Sequence, residues 1–94
     1  MSLFAKIKQR VRLTTTALDT EVQDLIDECK ADLVLSGVLK EKIIDTDLLI
    51  IRAVSTYCRA HYEGDNVKAE RLQASYESLK AHLSMSTDYT AAVT

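Results

Sequence analysis

Asp47-Leu48-Leu49-Ile50-Ile51-Arg52-Ala53-Val54-Ser55-Thr56-Tyr57-Cys58-Arg59-Ala60-His61-Tyr62 is the stretch on which the fold turns. No Gly or Pro interrupts it, so nothing removes a backbone donor or breaks a helical ladder. Leu48, Leu49, Ile50, Ile51, Ala53, Val54, Tyr57, Cys58 and Tyr62 leave the helix apolar almost all round. Such a helix is buried on most sides, by its own chain or by a partner. A chain of 94 residues buries only roughly 60–65% of the surface its unfolded form exposes. It can hardly cover one helix completely, which is a first indication of oligomerisation. Asp45 or Thr46 is expected to cap this helix. The apolar run Leu48–Ile51 ends at Arg52 and is too short to span a membrane.

Reading outward toward the N-terminus, Lys40–Ile44 is a connector and Gly37 a helix stop, since glycine takes up the left-handed C-cap conformation without penalty. Val38 and Leu39 are expected to pack back at the turn. Before them Leu18, Val22, Leu25, Ile26, Cys29 and Leu33 recur at gaps of three and four, an amphipathic helix. Thr16 can cap it, and Asp19 and Glu21 suit its positive end. Thr14-Thr15-Thr16 reads as an extended link. Leu3, Phe4, Ile7 and Val11 recur at helical spacing. Lys6–Leu13 also alternates as a strand would, but a short helix is the preferred reading.

Toward the C-terminus, Gly64-Asp65-Asn66 is a turn. A further helix runs from about Val67 to Leu83, with Leu72, Tyr76, Leu79 and Leu83 on one face. Residues 84–94 are small, polar and uncapped, and are expected to be loose in the free subunit. The expected fold is therefore all-α: a small helical bundle of three longer helices, a short N-terminal helix and a flexible C-terminal tail. One domain spans 1–94, with 1–13 a basic segment and 84–94 the tail.

The net charge of −2 disfavours generic nucleic-acid binding. The charge is unevenly placed. Lys6, Lys8, Arg10 and Arg12 carry the first twelve residues without an acid, whereas Asp19, Glu21, Asp24, Asp27, Glu28 and Asp32 face only Lys30 in the next charged run. Each run reads either as a solvated helix face or as an electrostatic guide between subunits. Cys29 and Cys58 both fall at apolar-periodic positions and read as small buried hydrophobes. The opening residues lack the apolar run of a signal peptide.

Chemistry finds little support. Cys58 and His61 share a helix face, but two ligands do not make a zinc site. Asp24, Asp27 and Glu28 lie opposite the apolar stripe, where water keeps carboxylates from acid–base work. Asp45-Thr46-Asp47 opens like a calcium loop but lacks its glycine and distal Glu. No glycine-rich phosphate loop or nucleophile elbow is present. No enzyme and no cofactor is expected.

Order and spacing together resemble the small head-tail connector proteins of tailed bacteriophages, also termed head-completion or adaptor proteins. The resembling residues are Asp19-x-Glu21, Leu25-Ile26, Lys30-x-Asp32-Leu33, Gly37-Val38, Asp47 with Leu48–Ile51, Tyr57-Cys58, Tyr76-x-x-Leu79, Leu83-Ser84 and Asp88-Tyr89. The resemblance covers about residues 14–89. It implies a non-enzymatic structural protein of a phage or prophage that forms a homo-oligomeric ring between the portal and the tail-completion proteins. It implies that genomic DNA passes through the ring without sequence-specific binding. It also implies a place at the head-tail junction of the virion, assembly in the host bacterial cytoplasm and no membrane. A ring needs one patch that binds a different patch on the next subunit. Phe4, Lys6, Ile7 and Arg10 of the basic segment, Asp24 and Asp27 of the acidic helix, and Met85 and Tyr89 of the tail are the expected interface residues. Tyr89 is the expected anchor on a neighbouring chain. Two other readings compete: a small helical DNA-associated regulator or antitoxin-like dimer, which the basic N-terminus favours, and a generic helical adaptor.

Overall fold

The computed structural model describes residues 2–11 and 19–90, with only the backbone described for Lys8, Arg10 and Val11. The expected Thr14–Thr16 link, the Thr16 cap, Leu18, Arg12 and Val93 lie outside the described residues. Among the described residues all regular structure is helical: α1 (Leu3–Val11), α2 (Asp19–Leu35), a 3-10 turn (Lys40–Lys42), α3 (Leu48–Tyr62), α4 (Asn66–Met85) and α5 (Thr87–Thr90).

Helix α3 occupies the centre and packs against α1, α2 and α4. Its buried residues are Ile50, Ile51, Ala53, Val54, Ser55, Thr56 and Cys58. Two of these are hydroxyl residues that a simple apolar pattern would leave outside. Their burial is tolerated because the helix satisfies them itself: Ser55 and Thr56 donate to the Arg52 carbonyl at 3.0 and 2.7 Å. Leu48 and Leu49, which the sequence reading counts with the buried set, are instead exposed, Leu48 at 74%.

Helix α1 is a helix, as preferred, and inserts Leu3 and Ile7 into the core. Helix α2 buries Val22, Leu25, Ile26, Cys29 and Leu33, five of the six stripe positions expected. It ends at the expected glycine. Gly37 has φ +113°, its N–H donates to the Val34 carbonyl at 3.0 Å, and the Val38 N–H reaches the Leu33 carbonyl at 3.0 Å. This is a Schellman motif, and its apolar contact is the buried pair Leu33 and Val38.

The cap of α3 is Asp47, not Asp45 or Thr46. Its Oδ1 accepts the Leu49 and Ile50 N–H groups at 2.9 and 3.2 Å. The same carboxylate receives the Tyr89 hydroxyl at 2.9 Å, and the Tyr89 carbonyl accepts the Leu39 N–H at 2.8 Å. Over residues 84–90 the structure differs from the expected loose tail, whose last four residues, 91–94, lie outside the described residues. Helix α4 continues through Met85, α5 follows, and Tyr89 is seated half-buried against the core of its own subunit. Local helix propensity is low here, but a partner 42 residues away holds this segment. Helix α4 starts at Asn66, capped by Asp65, whose Oδ1 accepts the Lys68 N–H at 3.0 Å. It buries Tyr76 and Leu83 and half-buries Leu72 and Leu79.

Val54 is fully buried, so Val54→Asp places an unpaired charge in the core. That costs several kcal/mol against a typical domain stability of about 5–15 kcal/mol. The variant should lose its helical circular dichroism at room temperature; a parent-like melt would show that the core lies elsewhere. Asp47→Ala should cost about 2 kcal/mol, from a lost cap and a lost partner for Tyr89. Tyr89→Phe should cost about 1 kcal/mol. In urea melts the two losses should be non-additive, because both remove one hydrogen bond. Strict additivity would show that the tyrosine is not seated on the cap.

Candidate interaction surfaces

The residues expected at an interface fall into three groups. Asp24 and Asp27 are exposed on α2, and Met85 is 82% exposed at the end of α4. Lys6 is half-buried, and its Nζ donates to the Asp45 carbonyl at 2.7 Å, tying α1 to the loop before α3. Phe4 packs against the core from outside. Ile7 is 0% exposed and Tyr89 points into its own subunit, so in this subunit neither side chain is offered to a partner. The side chain of Arg10 lies outside the described residues.

The groups weighed for chemistry are kept apart. Cys58 faces the core while His61 is exposed, with Nε2 3.3 Å from Glu21 Oε1 on α2. Asp24, Asp27 and Glu28 are all on the wet side of α2. Among the described residues no group of three or more His, Cys, Asp or Glu side chains is placed to hold a metal. Among the described residues no helix is long and apolar enough to cross a membrane.

A polar network with no short-range signature in the sequence joins α2, α3 and α4. The Cys29 thiol donates to the Tyr76 hydroxyl at 3.6 Å. That hydroxyl donates to Asp32 Oδ2 at 2.7 Å, and Lys80 Nζ reaches the same oxygen at 2.9 Å. Lys80 also bonds Glu77 at 3.1 Å and lies 5.5 Å from the centroid of the Tyr76 ring. The Tyr57 ring meets that of Tyr76 edge-on at 5.0 Å, and its hydroxyl donates to Glu28. The Tyr76 hydroxyl holds the Asp32 carboxyl below its usual range, with Lys80 adding to the effect. Burial pushes both thiols up to about 12. Burial also raises Tyr76 and Tyr57, and their carboxylate partners raise them further. Every partner has a structural task, and the cysteines are protonated packing groups. The spacing of Tyr76 and Lys80 was visible in sequence, but their pairing with Asp32 depends on how α2 meets α4.

Two surface features are left without an internal task. The outer face of α2 carries Asp24 and Asp27 and then Ala31, Val34 and Leu35, all exposed. Its apolar half borders a groove of about 630 Å³ with Lys30, Lys40 and Ile43 on its walls. On the α3–α4 side a second groove of about 500 Å³ is lined by Leu48, Leu49, Arg52, Ser55, Thr56, Arg59, Leu72 and Ser75. Both arginines are exposed, and no carboxylate is among the lining residues.

A family model described as Phage connector protein matches residues 3–90. That span begins with the first residue of α1 and ends with the last residue of α5. Among curated proteins and solved structures nothing matches significantly.

The buried hydroxyls and thiols set an alkaline limit on stability. In the unfolded chain the thiols ionise near 9.0 and the phenols near 10.0. Folded Cys29, Cys58, Tyr57 and Tyr76 hold their protons to higher pH. Folding is therefore fully supported by them below about pH 9 and loses that support as pH rises, since the unfolded state then binds fewer protons. Asp32 acts at the other end: its contribution is present above the ordinary carboxyl range and is lost as pH falls through it. Urea midpoints should drop between pH 8 and pH 10.5, and at pH 8 the native thiols should resist a thiol reagent that labels both in urea. A flat alkaline profile with fast native labelling would show that these groups are exposed.

Proposed function

The chain belongs to the phage connector protein family, and we propose that it is a non-enzymatic ring subunit joining the portal to the tail. In this reading it acts in DNA packaging and head completion. Its partners are further copies of itself, the portal and the tail-completion proteins. Genomic DNA passes through the ring without sequence-specific contact. It assembles in the host bacterial cytoplasm and resides at the head-tail junction of a tailed phage or prophage.

The observation that carries this reading is the extent of the family match, which takes in every helix among the described residues. Three physical features support it. The polar and thiol groups of the interior hold the bundle together and leave no free reactive set among the described residues. Leu35, Leu48 and Met85 are more than 70% exposed, apolar area that association would remove from water at about 25 cal/mol per Å². Lys6 and the buried Leu3 and Ile7 hold α1 against the bundle, which does not favour a free basic arm for duplex DNA. Asp24, Asp27 and Met85 remain candidate contact residues.

Light scattering across a concentration series should reveal a species of many subunits, either alone or on addition of portal. Electron microscopy should show it as a closed ring. A dimer at every concentration, with tight duplex binding at low salt, would favour the regulator reading instead.

A further inference from the structure

The two unassigned surfaces are lined by different elements of the bundle. On α2, the stripe Asp24, Asp27, Ala31, Val34 and Leu35 lies across the helix from Val22, Cys29 and Leu33, which face the core. On α3, Tyr57 and His61 reach toward α2, to Glu28 and Glu21. Arg52 and Arg59 sit about 140–180° round α3 from that pair, at 3.6 residues per turn. The stripe and the arginine groove are therefore on different sides of the bundle, and no single two-fold contact can use both.

Their chemistry is complementary and so is its order. Along α2 the stripe runs from acidic to apolar. Along α3 the groove runs from apolar, at Leu48 and Leu49, to basic, at Arg52 and Arg59. With a rise of 1.5 Å per residue, the centre of Asp24 and Asp27 lies roughly 13–14 Å from that of Val34 and Leu35. The centre of Leu48 and Leu49 lies roughly 10–11 Å from that of the two arginines. An antiparallel approach would bring acid to base and leucine to leucine together. Neither guanidinium has a hydrogen-bond or ion-pair partner among the described residues.

We propose that the α3–α4 groove holding Arg52 and Arg59 receives the α2 stripe of a second copy of this chain, antiparallel, with Asp24 and Asp27 on the arginines and Leu35 beside Leu48. The contact is heterologous, so each bound copy presents a free groove or stripe to the next, and repetition gives a ring or an open filament. It rests on the homo-oligomer reading above and adds to it which faces meet.

Charge reversal tests the pairing. Asp24→Lys with Asp27→Lys, or Arg52→Glu with Arg59→Glu, alters only exposed positions and should leave the melt unchanged. Each pair alone should raise the concentration needed for assembly at least about tenfold. The chain carrying all four changes, or an equimolar mixture of the two reversed chains, should assemble again. Independently, Leu35→Cys with Leu48→Cys should give intermolecular disulfides under mild oxidant, visible as a ladder on a non-reducing gel. High-order assembly that ignores every reversal, or that the four-fold exchange fails to restore, would overturn the pairing and leave the ring reading standing. A parent that stays monomeric at all concentrations with and without portal, together with a double-cysteine variant that yields no ladder, would overturn both.

Discussion

Helix α3 can be kept from water only if neighbours cover it on three sides, and the rest of the chain is arranged around that requirement. Helices α1, α2 and α4 each pack against it, and α5 closes over the region of its N-terminal cap through Tyr89. The remaining elements are consequently thin. Helix α4 buries only Tyr76 and Leu83, and α2 turns half its surface outward. In so small a chain, covering one helix uses up the apolar faces of the others, and little interior remains in which a deep substrate pocket could form.

The polar groups follow from the same geometry. Tyr76 is 0% exposed, and a buried phenol needs a partner. It finds two, Cys29 and Asp32, both on α2. This fixes the rotation of α4 relative to α2, because Asp32 must reach the hydroxyl from the rim of the bundle while Lys80 closes over it. Apolar packing tolerates some sliding between helices; a directional hydrogen bond between two helices tolerates much less. The network thus selects one arrangement among several that would bury similar area.

What the sequence disclosed is what depends on short spacing. The stripes on α2 and α4, the stop at Gly37 and the burial of both cysteines follow from periodicity and backbone conformation. What it hid depends on distant partners. Asp47, rather than Asp45 or Thr46, caps α3 in company with Tyr89. The ordering of α5 is only partly local: Ser86 accepts from the Asp88 N–H, but Thr87–Thr90 is poor helix material, and Leu39 and Asp47 hold the segment from elsewhere in the chain. Ser55 and Thr56 look like surface residues until α4 covers them. Leu48 and Leu49 look like core because a helical pattern cannot show that the neighbours cover only the Ile50 and Ile51 side of the first turn. Of the interface residues inferred from sequence, those singled out by charge on α2 lie on the surface. Two chosen for their size or apolar character, Ile7 and Tyr89, are used by the subunit's own interior. Arg52 and Arg59 were visible throughout, but as isolated charges on an apolar helix they carried no message without the groove around them.

The pairing of Asp47 with Tyr89 also bears on the order of events at the ribosome. The carboxylate that starts α3 meets its second partner only after 42 further residues have been made. At bacterial and eukaryotic elongation speeds that interval is roughly 2–8 s, far longer than the microsecond in which a helix forms. During it α3 and then α4 are added, and until α4 is in place the side of α3 that carries Ser55 and Thr56 stands open to water. The emerging polypeptide is thus exposed to misassociation for part of those seconds, and the α3 cap gains its second partner only when Tyr89 leaves the exit tunnel.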